Sequence, residues 1–364
     1  MPATPQKLSV IYLGKRGGGL NLLADTLAEL RKMDFSVKTY VSSNSKFEGM
    51  ELLLIGESYR LFSPSSFSGF FNVNEIFKGI HGALKFISGN AEQKVLFIMP
   101  SPFDFSYYIL AKIKRLDVIT CIHDAVPHSG DAWPTLSSIS FRLRCSSTLV
   151  VFSEHVANQL RLKTIKPILL ADLPQSISQT GQLKPDALAT LKKMYEFKEP
   201  VVLLIGRLKD YKNVRQIFQI AQIMDGALFV VAGSSSRPIV HSGGLLVLNR
   251  WLSNREFNAI LEAADILVFP YTDASQSGTI PPAMKMGKII VSVNHPGLLG
   301  QLKGYDRTII SEDTSAESMH IAIKKGMAMT RLKPKGDQKV VTSMRVLQYS
   351  SLAIVVTRYL FPKR

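Results

Sequence analysis

A chain of 364 residues with 46% hydrophobic content can bury a sizeable core and has the length for two or three domains, and 24 glycines and 18 prolines exclude a low-complexity or collagen-like polymer. Only Cys121 and Cys145 occur, with no CxxC, which argues against a disulfide scaffold or a zinc site and fits a reducing compartment. A net charge of +16 points to nucleic acid, an anionic membrane surface or an acidic small ligand, or else to a merely solubilising surface; Lys324 to Arg364 alone holds ten Lys or Arg against one acid, Asp337.

The opening Met1 to Leu8 lacks the apolar core of a signal peptide. No run reaches the roughly 20 apolar residues of a membrane span. A cytoplasmic protein, lying at most on a membrane, is expected.

Leu8 to Leu13 reads as a buried strand and Gly14 to Gly19 as a loop. Leu20, Leu23, Leu27 and Leu30 then recur at helical spacing up to Met33. Ser36 to Val41 is the next strand. This order begins a Rossmann-like unit. The glycines do not match GxGxxG and no acid ends the second strand, so a dinucleotide reading is weak. Gly17, Gly18 and Gly19 either make a tight turn or let the backbone approach a ligand.

Ser43 to Asn90 reads less clearly than its flanks. Within it, the Ser- and Phe-rich Ser58 to Asn74 is either a substrate- or membrane-facing loop or a satellite core under a long loop. Strands follow at Val95 to Met99, Asp117 to Ile122, Thr148 to Phe152 and Pro167 to Ala171. Helices fall at Asp104 to Arg115 and at Glu154 to Leu162, the latter capped by Ser153. The strand ending at Ile122 runs into His123-Asp124, a place where open α/β sheets bind ligands.

Asp172 to Glu199 carries Pro174, Gly181 and Pro185, with Pro200 just after, and is the best linker. The expected domains are therefore 1–175, a linker 176–198, a second domain 199–335 and a C-terminal helix 336–364.

The pattern then restarts. Strands are expected at Val201 to Ile205, Ala227 to Ala232, Leu245 to Leu248, Ile266 to Phe269, Lys288 to Ser292 and Arg307 to Ile310. Helices are expected at Val214 to Met224, from the Ser253 cap to Ala264, at Met319 to Met329 and over the apolar-striped Lys339 to Leu360, with a short helix or turn at His295 to Leu302. Between Phe269 and Lys288 a loop of small and hydroxyl residues, Thr272 to Thr279, leads into a short helix broken at Gly287. Bare N–H groups at such a loop favour an anion such as phosphate.

Gly206-Arg207, with Lys212 five residues on, is the densest chemical cluster. A glycine turns the chain at the strand end. Arginine, through its fork, and lysine, as a point charge, can hold a diphosphate. They would also neutralise a phosphate leaving group, a contribution typically worth about 10²–10³ in rate. The plain alternative is a pair of ordinary surface charges.

GRLKDYKN (Gly206 to Asn213), the VVAG strand end, NREFNAILEAADILVFPY (Asn254 to Tyr271) and SGTIPPAMKMGKIIVS (Ser277 to Ser292) together resemble the retaining GT-B glycosyltransferases of family four. The likeness spans about residues 200–300 and strings four motifs in the family's order; before it only the Gly loop, His123-Asp124 and FSEHV (Phe152 to Val156) take part. The resemblance implies an α/β GT-B fold. Two Rossmann-like domains with parallel sheets would face across a cleft, with the C-terminal helix crossing back to the N-terminal domain. It implies a nucleotide-diphosphate sugar as substrate, a glycan or lipid-linked acceptor, and neither metal nor cofactor. The activity implied is hexosyltransferase-like, in bacterial surface polysaccharide or glycolipid synthesis.

By position, Arg207 and Lys212 match the family's diphosphate-binding cations, and Gly206 the turn before them. Trp251 and Leu252 match its cradle for the base, although Trp251 also reads as core. Gln276, Ser277, Gly278 and Thr279 match the loop touching donor sugar and phosphates. His123 matches the histidine at the donor sugar, and otherwise reads as satisfied by its own loop; Asp124 orients it or caps a helix. Gly17, Gly18 and Gly19 match the loop near donor phosphates and acceptor. The family often has two glutamates separated by seven residues where this chain has Ala274 and Pro282, with Asp273 the nearest carboxylate. Two other classes compete. One is a nucleotide-sugar epimerase of the same fold, resting on His123, Asp124 and Asp273 as acid/base groups. The other is a non-catalytic binder of membrane or nucleic acid, though no RNP, KH or zinc pattern supports nucleic acid.

Overall fold

The computed structural model describes residues 7–14, 17–33, 35–42, 57–61, 73–88, 94–128, 134–175, 200–235, 245–331 and 350–360. The chain divides into two units, one of residues 1–127, 131–174 and 349–364, the other of 128–130 and 175–348. The linker expected at 176–198 lies outside the described residues, as does most of the Ser- and Phe-rich stretch, at 62–72.

The first unit is built on seven strands, β1 (Lys7–Tyr12), β2 (Ser36–Ser42), β3 (Ser58–Leu61), β4 (Lys94–Phe97), β5 (Asp117–Ile122), β6 (Thr148–Val151) and β7 (Ile168–Leu170). All pairs are parallel, in the order β3-β2-β1-β4-β5-β6-β7. Parallel strands are covered on both faces and so read as unbroken apolar runs. Along β1, Leu8, Val10 and Tyr12 point to one core, and Ile11 to another. The first core is closed by α1 (Gly18–Lys32) and the C-terminal α11 (Leu352–Leu360). The second is closed by α2 (Val73–Ser88), α3 (Phe105–Ile113) and α4 (Leu136–Cys145). Ser153 caps α5 (Glu154–Arg161) by accepting from the Val156 N–H at 3.3 Å, as the sequence predicts.

The C-terminal helix does return to the first unit. Ser351 bridges Asp172, the Asp172 N–H donates to Ser350 O at 3.1 Å, and Lys94 Nζ donates to the Leu360 carbonyl at 2.6 Å. Its described part begins at Leu352, later than the expected Lys339, and residues 332–349 lie outside the described residues.

Three elements of this unit have no counterpart among those expected from the sequence. β3 is a short edge strand with one fully buried residue, Leu61. On α4 the inward stripe is interrupted by Ser138 and Arg142. Arg142 is buried because Asp104 takes its guanidinium at 2.6 and 3.3 Å, an ion pair between α4 and the residue just before α3. On α2 the apolar stripe faces outward.

The second unit has six parallel strands, β8 (Val201–Ile205), β9 (Leu228–Ala232), β10 (Leu245–Leu248), β11 (Ile266–Phe269), β12 (Ile289–Val293) and β13 (Thr308–Ser311), ordered β10-β9-β8-β11-β12-β13. Around them lie α6 (Val214–Ile223), α7 (Asn254–Ala263), α8 (Ile280–Lys285), α9 (Pro296–Leu302) and α10 (Ala316–Arg331). A capping box fixes the start of α7, with Ser253 and Glu256 exchanging side-chain to backbone bonds.

Candidate functional site

In both sheets the strand order reverses beside the first strand, between β1 and β4 and between β8 and β11. Loops leaving the carboxyl ends of such neighbouring strands diverge and leave a crevice where α/β sheets bind ligands.

In the second unit that place is occupied by the segments after β8 and β11. Gly206 follows β8 with φ +116, a conformation L side chains rarely adopt, and a Cβ there would stand 2.8 Å from Lys212 Nζ. Gly233, at the end of β9, packs directly against the Gly206 carbonyl. Arg207 is exposed. The chain makes a 3₁₀ turn at Asp210–Lys212, and Asn213, left-handed at φ 52, redirects it into α6.

Lys212 is the unusual member of this cluster. Its side chain is 7% exposed, and Nζ lies 3.4 Å from the Ile205 carbonyl and 5.0 Å from the centre of the Tyr271 ring. Among the described residues no carboxylate pairs with it. Burial lowers its pKa from 10.5 to about 7, and the charge of Arg207 acts in the same direction. Among the described residues neither of these two cations forms an ion pair with a carboxylate. The sequence shows the pair, but not the burial.

Tyr271 comes from the far side of the switch point, just after β11. Burial pushes its phenol well up, and a hydrogen bond with Ser277 opposes that. The Ser277 N–H donates to Gln301 Oε1 at 2.7 Å, and Gln301 Nε2 returns to the Ser277 carbonyl at 3.3 Å. The Thr279 N–H donates to Ser277 Oγ at 3.4 Å. The Ser277 and Thr279 amides, expected to meet an anion, are therefore engaged in holding the loop in shape. Gly278 is exposed and Gln276 half-buried. α8 then runs for six residues, with Gly287 at φ 67 beyond its end.

Ala274 and Pro282 are buried, Ala274 with its carbonyl against Gly297. The neighbouring carboxylate, Asp273, is 46% exposed and takes a contact from His128 Nδ1 at 2.7 Å, with His295 Nε2 at 4.0 Å. The His128 ring stacks on Tyr211 at 4.7 Å, and the Tyr211 carbonyl accepts from the Thr272 N–H at 2.8 Å. His128 belongs to the second unit although it lies far back in the sequence. Neither this group nor Tyr271 stands out in the sequence, because contacts over such separations leave no local pattern.

Trp251 and Leu252 follow β10 and precede α7, Trp251 half-buried and Leu252 buried in the unit's core. Arg250 links this segment to the capping box, donating to the Trp251 carbonyl at 3.3 Å and to Glu256 Oε1 at 2.6 Å.

The remaining candidates sit in the first unit. Gly17 takes φ +90 before α1, no non-neighbouring atom of the described residues lies within 4 Å of where a Cβ on Gly18 would stand, and a Cβ on Gly19 would lie 2.7 Å from the Tyr12 ring and 2.8 Å from Met99 sulfur. Gly19 is thus required by packing. His123 stands after β5 with its ring 4.8 Å from that of Phe152. Burial holds its pKa below the ordinary 6.5, against the pull of Asp124, so the neutral imidazole prevails at neutral pH. Among the described residues no cluster of three or more His, Cys, Asp or Glu could hold a metal ion, and no helix is long and apolar enough to cross a membrane.

Two parallel sheets, each doubly wound around a switch point, define a GT-B fold, the two-domain Rossmann-like architecture of glycosyltransferases. The family model for glycosyl transferases group 1 matches residues 199–328, within the second unit. The chain is similar to Anabaena HepE in complex with UDP-glucose, with a TM-score of 0.67 at 13% identity over 89% of this chain and 90% of that one. It is similar also to the catalytic domain of starch synthase IV from Arabidopsis thaliana bound to ADP and acarbose, with a TM-score of 0.62 at 13% identity over 92% and 93% of the two chains. A putative UDP-N-acetylglucosamine 2-epimerase from Listeria monocytogenes shares the fold as well, with a TM-score of 0.61 at 10% identity over 90% and 89%. Comparison of the sequence with curated proteins gives no match.

Proposed function

We propose that the protein is a retaining glycosyltransferase. It would pass a hexose from a nucleotide-diphosphate sugar to a hydroxyl of a glycan or lipid-linked acceptor, in bacterial surface polysaccharide or glycolipid synthesis. Its place would be the cytoplasm, peripherally on the inner face of the membrane. The observation that carries this reading is Lys212, a buried ammonium without a carboxylate among the described residues, beside Arg207 at the switch point of the unit that the group 1 family model matches. A buried cation costs free energy unless an anion joins it. A diphosphate is an anion of suitable charge, and Arg207 is exposed to take its outer oxygens through its fork.

As the glycosidic bond to the phosphate breaks, negative charge grows on the leaving diphosphate. Two fixed cations stabilise that charge more than the ground state, which is how they speed the step. The proposal needs neither a metal nor a protein nucleophile. By sequence position, Trp251 and Leu252 are assigned to the base, and Gln276, Ser277, Gly278 and Thr279 to the sugar and phosphates. On the same ground His123 is assigned to the sugar, and Gly18 and Gly19 to the acceptor side of the site. Asp273 is the carboxylate nearest to the places held by Ala274 and Pro282.

The test is thermal unfolding against nucleoside diphosphates and their sugars. A ligand at 100 times its Kd should add about 2.7 kcal/mol. Arg207→Ala and Lys212→Ala should each remove that shift, and normal turnover in both variants would sink the site assignment.

One observation favours a second reading, a nucleotide-sugar epimerase: Asp273 stands between His128 and His295, a group with acid/base capacity. An epimerase converts a nucleotide sugar with no acceptor present, so incubation with donor alone separates the two.

A further inference from the structure

A helix that covers a sheet normally turns its apolar stripe inward. α2 does the reverse. Gly82 and Phe86 face the core, Gly82 so closely that a Cβ would strike Arg60 and Leu61. On the opposite side Val73, Ile76, Phe77, Ile80, Leu84 and Ile87 form one continuous exposed stripe, with Phe77 66% and Leu84 58% exposed. The neighbouring α3, whose Tyr107 meets Phe86 edge to face at 5.8 Å, adds exposed Ile109 and Ile113 at a spacing of one turn. Apolar surface of this extent marks an interaction site.

The charge around it selects the partner. His81 and Lys85 are exposed on α2, and Lys112 and Arg115 are exposed along and just after α3. From Val73 to Arg115 the sequence holds six Lys or Arg against three acids, and one of those acids, Asp104, is buried against Arg142. A 16-residue helix is about 24 Å long at 1.5 Å per residue, too short to span a bilayer but suited to lie in its plane.

We infer that α2 and α3 form the surface by which the first unit docks on an anionic lipid bilayer. The isoleucines, Phe77 and Leu84 enter the acyl boundary, and Lys85, Lys112 and Arg115 meet lipid phosphates. This names the surface and the lipid chemistry for the membrane location proposed above, and rests on it. It does not depend on the transferase reading, because docking is measured without donor or acceptor.

The test is flotation of the full chain with vesicles of phosphatidylcholine alone and of phosphatidylcholine with phosphatidylglycerol. The protein should float with the second, and added salt should release it. Phe77→Glu combined with Leu84→Glu should cut the bound fraction about tenfold, and Lys85→Glu with Lys112→Glu about as much, with thermal unfolding unchanged in both. Equal flotation on the two vesicle types, or flotation untouched by the variants, overturns the inference. So does a fall in unfolding temperature in the Phe77/Leu84 variant, which would mean that the chain itself covers the stripe. A change from dimer to monomer in light scattering would assign the stripe to a second copy and overturn it equally.

Discussion

The loops after β1 and β8 occupy equivalent places in two sheets of the same topology, and each contains a glycine with positive φ, Gly17 directly before α1 and Gly206 directly after β8. Beyond that glycine they part. After β1, Gly19 lets α1 press its first turn on Tyr12 and Met99, and the space is filled by aromatic and sulfur atoms. After β8, Gly206 leaves the same kind of space to the ammonium of Lys212. Topology offers the position twice, and side-chain chemistry decides which copy is worth reading as a phosphate site.

The most direct challenge to that contrast is Lys212→Met, which keeps the length and volume and removes the charge. Turnover should fall by about 10²–10³. Stability should hold or rise by about 1–4 kcal/mol, since a buried charge is replaced by an apolar group. The pH dependence checks the cause. The folded pKa of about 7 lies below the ordinary 10.5, so the unfolded chain binds more protons between those values. The fold therefore gains stability as pH rises through that window. The Met variant should lose this slope in thermal unfolding followed against pH. A variant that keeps both turnover and slope removes the case for Lys212.

Gly19→Ala probes the other loop. The added methyl meets Tyr12 and Met99 inside van der Waals contact, so stability should drop by about 1–3 kcal/mol. Nucleoside diphosphate should still stabilise the variant by the same increment in thermal unfolding. Loss of that increment would show that the first loop takes part in binding.

Much of the second unit is legible in the amino-acid sequence. β8, β10 and β11 begin and end where their apolar runs do, because parallel strands are covered on both faces and need no alternation. Ser153 and Ser253 announce their helices, since a cap is a local bond. The Arg207/Lys212 pair stands out for the same reason, being close in sequence. What stays hidden is everything that depends on distant partners. Lys212 reads as a loop cation until Tyr271 is placed over it. The Asp273–His128 contact joins residues 145 positions apart. α2 is obscure for a different reason. Its apolar residues do recur at helical spacing, but the stripe faces away from the core, so its role and its boundaries fit no inward-facing template.

A milder change is expected at two helix starts, one in each unit. α5 and α7 are both capped by a serine accepting from the third residue on, Val156 or Glu256. Only α7 of the two closes the box, because Glu256 Oε2 accepts from the Ser253 N–H at 2.9 Å. Ser153→Ala and Ser253→Ala should each cost about 1 kcal/mol, with the larger loss at Ser253, where two donors lose their order. The hydrogen bond from Arg250 lowers the Glu256 carboxyl from 4.5 to about 2, so its contribution is present above about 4.5 and is lost as pH falls towards 2. Urea unfolding of the two variants at neutral pH, repeated across that acid window, reads both statements. The excess cost at Ser253 should shrink in acid while the cost at Ser153 stays level, because a neutral Glu256 no longer holds the box.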